Sequence, residues 1–216
     1  DFRSRECIAL LNECDIVVTN PPFSLMKEYI PLLAESGKQF LVLGNMNHIT
    51  FKEIFHYFRE NKMWLGYNAG HFWFKVPDYY EAKNTDYKQD EDGQKWRRLG
   101  NICWFTNMDI DIRHQFLDLY KHFSIQEYPE YDNYDAYFVK TVADIPCDTD
   151  KPLAVPITFL SSFSPDQFEL LDANQFRKYD EVPVKSHGLI KDKDGTIKGK
   201  ATYARLLVRN RNPEKE

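Results

Sequence analysis

Three consecutive apolar, β-branched residues, Ile16-Val17-Val18, run straight into the block Asn20-Pro21-Pro22-Phe23. Such an unbroken run predicts a strand buried on both faces of a parallel sheet, since a half-covered strand alternates apolar with polar residues. Ahead of it, Ser4 precedes apolar positions at Ile8, Leu10 and Leu11, which predicts a capped helix over 4–12. Behind it, Leu25, Tyr29, Leu32 and Leu33 recur at helical spacing as far as Gly37, so a helix is predicted over 25–36. Phe40-Leu41-Val42-Leu43 predicts the next buried strand. Strand, helix and strand in this order make a right-handed parallel unit.

Thr50 with Glu53 three residues on has capping-box spacing and predicts a helix over 50–61 that buries Ile54, Phe55 and Phe58. Short strands are predicted over 64–67, 72–76 and 102–106, forming an antiparallel hairpin that closes the sheet around a polar insertion at 77–99. From Ser124 the periodicity weakens and prolines recur. Short strands are predicted at 137–139 and 157–160, a helical turn at 165–171, a Gly-turn hairpin at 191–197 and a closing strand at 203–208. The expected organisation is an α/β domain over 1–123 followed by a small, loop-rich β lobe over 124–216.

At 43% hydrophobic and 15% aromatic residues, the 216-residue chain can bury a substantial core. No apolar run approaches the roughly 20 residues of a membrane helix. Cys7, Cys14, Cys103 and Cys147 lack paired metal spacing, so free thiols, no metal and a reducing cytoplasmic setting are expected. A net charge of −5 counts against nucleic-acid binding only as an average. Seven acids face Lys140 alone between Gln126 and Asp150, whereas eight Lys or Arg face two Asp between Lys185 and Arg211. A phosphate backbone meets a patch, and Lys198 and Lys200 lie in the basic one.

The chemistry concentrates at Asn20-Pro21-Pro22-Phe23. An ordinary turn would explain Asn-Pro-Pro, but the aromatic in fourth place behind so apolar a strand favours a reactive one. An exocyclic amine on a planar ring is a poor nucleophile because its lone pair is delocalised. The Asn20 amide oxygen and the Pro21 carbonyl can accept both amine hydrogens and aim the lone pair at an electrophile, while Pro22 stiffens the turn and Phe23 stacks on the ring. No strong base is needed, since the proton leaves after nitrogen has acquired positive charge. His48 lies just past a strand end on the same edge, and the other histidines are read as surface or packing residues. In the insertion, Tyr79, Tyr80, Tyr87, Trp96, Lys95, Arg97 and Arg98 fit either a solvated loop or a surface for base stacking and phosphate contact.

With this motif the chain resembles the amino-methyltransferases that carry Asn-Pro-Pro-aromatic. More closely, it resembles the EcoRI-type adenine-specific DNA methyltransferases. The resemblance covers nearly the whole chain, through Asp1-Phe2-Arg3-Ser4, Asp15 to Ser24, Trp64-Leu65-Gly66-Tyr67-Asn68, Phe74 to Tyr80, Gly100 to Asn107, Tyr131 to Ala136 and Val155 to Leu160. It implies the second half of a doubly wound, Rossmann-like sheet that uses S-adenosylmethionine to methylate the adenine amine in double-stranded DNA, within a restriction-modification system. Asn20, Pro21, Pro22 and Phe23 would be catalytic, with Asp1, Phe2 and Asn20 bordering the cofactor. Lys95, Arg97, Arg98, Lys198 and Lys200 are the candidate DNA contacts of a monomeric enzyme.

None of the nine glycines forms a G-x-G cofactor loop. The resemblance places that loop ahead of Asp1, so this chain alone is expected to hold cofactor weakly and not to methylate DNA. Two other readings stay open, namely a methyltransferase for RNA bases or protein glutamine, and a non-catalytic DNA-binding remnant. The DNA sequence recognised is not legible.

Overall fold

Ser4 has extended backbone, and its Oγ accepts the Cys7 N–H at 3.2 Å, so helix α1 (Arg5–Glu13) starts where the cap predicts. Strands β1 (Ile16–Thr19) and β2 (Gln39–Asn45) lie parallel with Thr19 opposite Val42, and helix α2 (Met26–Glu35) connects them. Gly37, with φ at 71°, lets the chain leave α2 through a left-handed conformation. The computed structural model describes residues 1–67, 69, 72–81, 86–131, 135–171, 190–191, 197–198 and 205–215. They form a mixed α/β structure in two units, Asp1–Ile54 with Met63–Met108, and Phe55–Lys62 with Asp109–Glu216. No helix among the described residues is long and apolar enough to cross a membrane.

Helix α3 (Lys52–Arg59) begins later than Thr50, because a 3₁₀ turn over Met46–Thr50, closed by reciprocal Asn45 and His48 bonds, occupies the predicted start. Ile54, Phe55 and Phe58 are buried as expected. Strands β3 (Trp64–Leu65), β4 (Phe72–Val76), β5 (Tyr87–Gln89), β6 (Lys95–Leu99) and β7 (Ile102–Thr106) complete the first unit. Its main sheet runs β1-β2-β7-β3, with β7 antiparallel to both neighbours. Met26, Ile30, Leu33, Phe40, Val42 and Phe105 are buried in this unit. A Cβ on Gly44 would lie 2.2 Å from the Phe105 ring, so glycine leaves the room that ring needs against β2.

Two expectations fail here. Strand β1 is not covered on both faces, since Ile16 and Val18 are 47% and 66% exposed. It pairs with β2 on one side only among the described residues, and α1 contributes no buried residue to cover it. Phe72–Val76 does not join the main sheet, and within the insertion Tyr87–Gln89 and Lys95–Leu99 are strands rather than loop. Strands β4, β6 and β5 form a separate antiparallel sheet in which Phe74 faces Arg97 and Lys88 faces Trp96. Cross-strand pairs of aromatic and basic residues stabilise it in place of apolar alternation.

The second unit holds β8 (Tyr137–Phe138), β9 (Leu153–Pro156), β10 (Phe168–Leu170), β11 (Ile190–Lys191), β12 (Ile197–Lys198) and β13 (Arg205–Asn210). Its sheet runs β10-β13-β9-β8, while β11 and β12 pair antiparallel as the predicted hairpin requires. Leu206, Leu207 and Val208 on β13 are all buried, as are Leu153, Ala154 and Val155 on β9, so these two neighbouring strands are covered on both faces. Tyr131, Ala136, Ala154 and Leu207 form a buried cluster flanked by Phe138 and Leu171. The predicted strand at 157–160 is instead a 3₁₀ turn over Ile157–Ser162, which follows directly on Pro156. The predicted helical turn at 165–171 is a short turn followed by β10. There the Gln167 amide holds the Leu117 backbone at both N–H (2.7 Å) and carbonyl (2.8 Å).

Candidate active site and nucleic-acid interface

The end of β1 places Asn20 at the C-terminal edge of the parallel β1–β2 pair, where open α/β sheets bind ligands. Asn20 is exposed, Pro21 is buried and Phe23 is half-buried. Pro22, at φ −58° and ψ 123°, turns its carbonyl back to accept the Leu25 N–H at 3.0 Å. The Pro21 carbonyl takes no hydrogen bond among the described residues. Two prolines thus hold a free carbonyl beside a free carboxamide without supplying a competing N–H. Phe23 opens the 3₁₀ turn Phe23–Leu25 that leads into α2, which fixes its backbone.

The Phe23 and His48 rings meet in a T-shaped arrangement at a centroid distance of 5.3 Å and an interplanar angle of 88°. His48 follows the end of β2 and lies close to Phe51 (5.4 Å) and Phe105 (6.5 Å). Its Nδ1 accepts the Asn45 N–H at 3.2 Å, so a neutral ring carries its proton on Nε2. Burial holds its pKa below the ordinary histidine value. A neutral imidazole with Nδ1 engaged supports the aromatic wall and is unsuited to act as a base. Position past a strand end was the only signal for His48 in the sequence, and the structure brings it against the motif.

Phe2 packs edge-on against Tyr29 at 4.9 Å. The Tyr29 phenol lies near the side chain of Thr19, the residue before Asn20, and burial raises its pKa above the usual tyrosine value. Phe2 is thereby linked to the motif through one ring. Asp1 is less available, because Arg3 takes both of its carboxylate oxygens, at 2.8 Å and 3.1 Å. Both side chains are more than half exposed, and exposed pairs of this kind resist competition weakly.

The β4–β6–β5 sheet gathers basic and aromatic side chains from three strands. Lys88 Nζ lies 4.6 Å from the Trp73 ring and 5.7 Å from Trp96, while Lys75 lies 5.4 Å from Trp96 and Arg98 lies 5.9 Å from Trp73. The three predicted contacts on β6 have different surroundings. Lys95 reaches back to the Asp78 and Tyr80 carbonyls, and Arg98 forms a two-bond fork on Asp86 Oδ1. Exposed Arg97 sits over Tyr80. Trp73, Lys75 and Lys88 were missed, because a strand register is needed to bring them beside Trp96. The Lys198 side chain and Lys200 lie outside the described residues.

A family model described as adenine-specific methyltransferase EcoRI matches residues 1–211. The type II methyltransferase M.EcoRI of Escherichia coli is 44% identical over 100% of this chain and 63% of its own length. M.MpnI of Mycoplasma pneumoniae and M.MgeORF184P of Mycoplasma genitalium are 38% and 37% identical, each over 97% of this chain and 68% of their own length. The chain therefore spans under two thirds of M.EcoRI. No solved structure matches it.

Proposed function

From the premise that this chain belongs to the EcoRI-type adenine-specific methyltransferase family, we propose that the protein carrying it methylates the exocyclic amine of adenine in double-stranded DNA, as the modification enzyme of a restriction-modification system. The observation that carries this reading is the pairing of an exposed Asn20 with an unengaged Pro21 carbonyl beside Phe23. The adenine leaves the helix at a cost of about a few kcal/mol and stacks on Phe23, whose ring packs T-shaped with His48. Asn20 Oδ1 and the Pro21 carbonyl accept the two amine hydrogens and favour a pyramidal nitrogen. The amine proton departs to water once nitrogen bears positive charge, with no base required from His48.

S-adenosylmethionine supplies the methyl group when bound. The residues present fit one border of its site. The Phe2 ring, braced by Tyr29, offers an apolar wall, and the Asp1 carboxylate is an acceptor held only by an exposed arginine. The parallel β1–β2 pair with its connecting helix supports placing this unit in the second half of a Rossmann-like sheet, and the open face of β1 suits further cover. Residues 124–216 are read as the recognition lobe, and the basic-aromatic sheet as a second DNA contact. The free cysteines suit a cytoplasmic enzyme.

The test is to incubate the protein, at the full length of its relatives, with labelled S-adenosylmethionine and duplex DNA, RNA or a glutamine-containing peptide. Label is expected in DNA as N6-methyladenine. Transfer to RNA or peptide alone, or to none of the three, would overturn the assignment.

A further inference from the structure

The second unit carries a side-chain cluster that methyl transfer does not use. Lys121 and Pro146 form an isolated parallel bridge, and the residues that follow it on both strands converge. The Cys147 N–H donates to the Lys121 carbonyl at 2.8 Å, and Asp148 Oδ1 accepts the Phe123 N–H at 2.7 Å. With one oxygen so anchored, Asp148 Oδ2 faces His122 Nδ1 at 3.1 Å. Cys147 Sγ lies 3.8 Å from the same nitrogen, and all three donor atoms fall within 4.8 Å of one another.

These separations suit a shared ion. Tetrahedral zinc, with bonds of about 2.3 Å to sulfur and about 2.0–2.2 Å to nitrogen and oxygen, sets neighbouring donors roughly 3.4–3.6 Å apart. We propose that His122 Nδ1, Cys147 Sγ and Asp148 Oδ2 form a zinc site that staples the second unit. A thiolate and an imidazole select zinc over magnesium or calcium, which prefer all-oxygen shells. The Phe123 N–H on Asp148 Oδ1 orients the carboxylate, the usual role of a group just behind a metal ligand. His122 is 75% exposed, so an ion has an open path from solvent. Water completes the coordination, and the Glu214 N–H, which donates to the Cys147 carbonyl at 2.9 Å, fixes the chain beside the thiol. Asn210, at the end of β13, also donates to that carbonyl, at 3.2 Å. Binding would therefore tie residues 121–123, 147–148 and the segment after β13 together. Residues 122 and 147 are too far apart in the chain to show a metal motif.

The experiment strips the whole chain with a chelator and titrates it with cobalt(II), then with zinc. One cobalt per chain is expected, with a thiolate-to-cobalt charge-transfer band that one zinc abolishes and a rise in Tm on binding. Cys147→Ser should remove the band, and a Cys7→Ser/Cys14→Ser variant should keep it. His122→Ala, at an exposed position that leaves the fold intact, should weaken zinc binding by at least about ten-fold. Absence of saturable binding, a band that survives Cys147→Ser or is lost in the Cys7→Ser/Cys14→Ser variant, or unchanged zinc affinity in His122→Ala would overturn the proposal.

Discussion

The corner at Asn20–Phe23 and the β4–β6–β5 sheet are built on opposite principles. The corner is four consecutive residues whose geometry is fixed by two proline rings and a strand end, so the chemistry proposed for it would reside in backbone stiffness. The sheet assembles Trp73, Lys75, Lys88, Trp96 and Arg98 from three strands, and its character exists only once β4, β5 and β6 are in register. A stiff local site does one task that a single substitution destroys. A distributed surface spreads a task over many weak contacts and degrades by steps.

The largest effect should come from Asn20→Ala. Losing an acceptor that acts as nitrogen becomes nucleophilic should lower kcat by roughly 100-fold or more while DNA affinity stays near normal. Steady-state kinetics beside a DNA-binding titration would show the split, and near-normal turnover would remove Asn20 from its role. Phe23→Ala comes next and should weaken capture of the extruded base by about 1–3 kcal/mol, with Phe23→Trp or Phe23→Tyr tolerated.

Substitutions on the sheet should each do less. Arg97→Ala should lower the slope of log affinity against log salt by about one, uniformly across DNA sequences. Arg98→Ala should do the same and also release Asp86 from its fork, so its Tm should fall further than that of Arg97→Ala. Affinities at two salt concentrations together with melting curves separate the two, and an unaltered salt slope in both would detach the sheet from DNA.

The smallest effect concerns His48. Its basicity is lowered in the folded chain, so the unfolded chain binds the proton more readily, and stability should be complete above its ordinary pKa and fall as pH drops below it. Melting curves between about pH 7 and about pH 5 should show a shallower pH dependence in His48→Gln than in the parent. Equal slopes would mean that His48 titrates normally.

Legibility in the sequence follows the same division. The β1–α2–β2 unit and the Asn20–Phe23 corner could be read because their determinants are contiguous. The covering of β1 departs from expectation, since three β-branched residues specify a strand but not what lies on its faces; runs covered on both sides are Leu153-Ala154-Val155 and Leu206-Leu207-Val208. Strand β6 was hidden because Lys95-Trp96-Arg97-Arg98-Leu99 has no apolar alternation, and its stability lies in partners up to 27 residues away across β4. The 3₁₀ turn at Ile157–Ser162 looked like a strand because Ile157 and Thr158 are β-branched.

Two adjacent prolines also make the corner silent to one class of measurement. Neither Pro21 nor Pro22 has an amide hydrogen, so neither yields an exchange signal or a nitrogen-15 amide resonance. The nearest protected reporters are Leu25, whose N–H is bonded to the Pro22 carbonyl, and Met26, bonded to the Phe23 carbonyl. Deuterium uptake at those two amides is therefore where loosening of the Asn20–Phe23 turn would first be read, while the residues that hold the turn rigid leave no trace of their own.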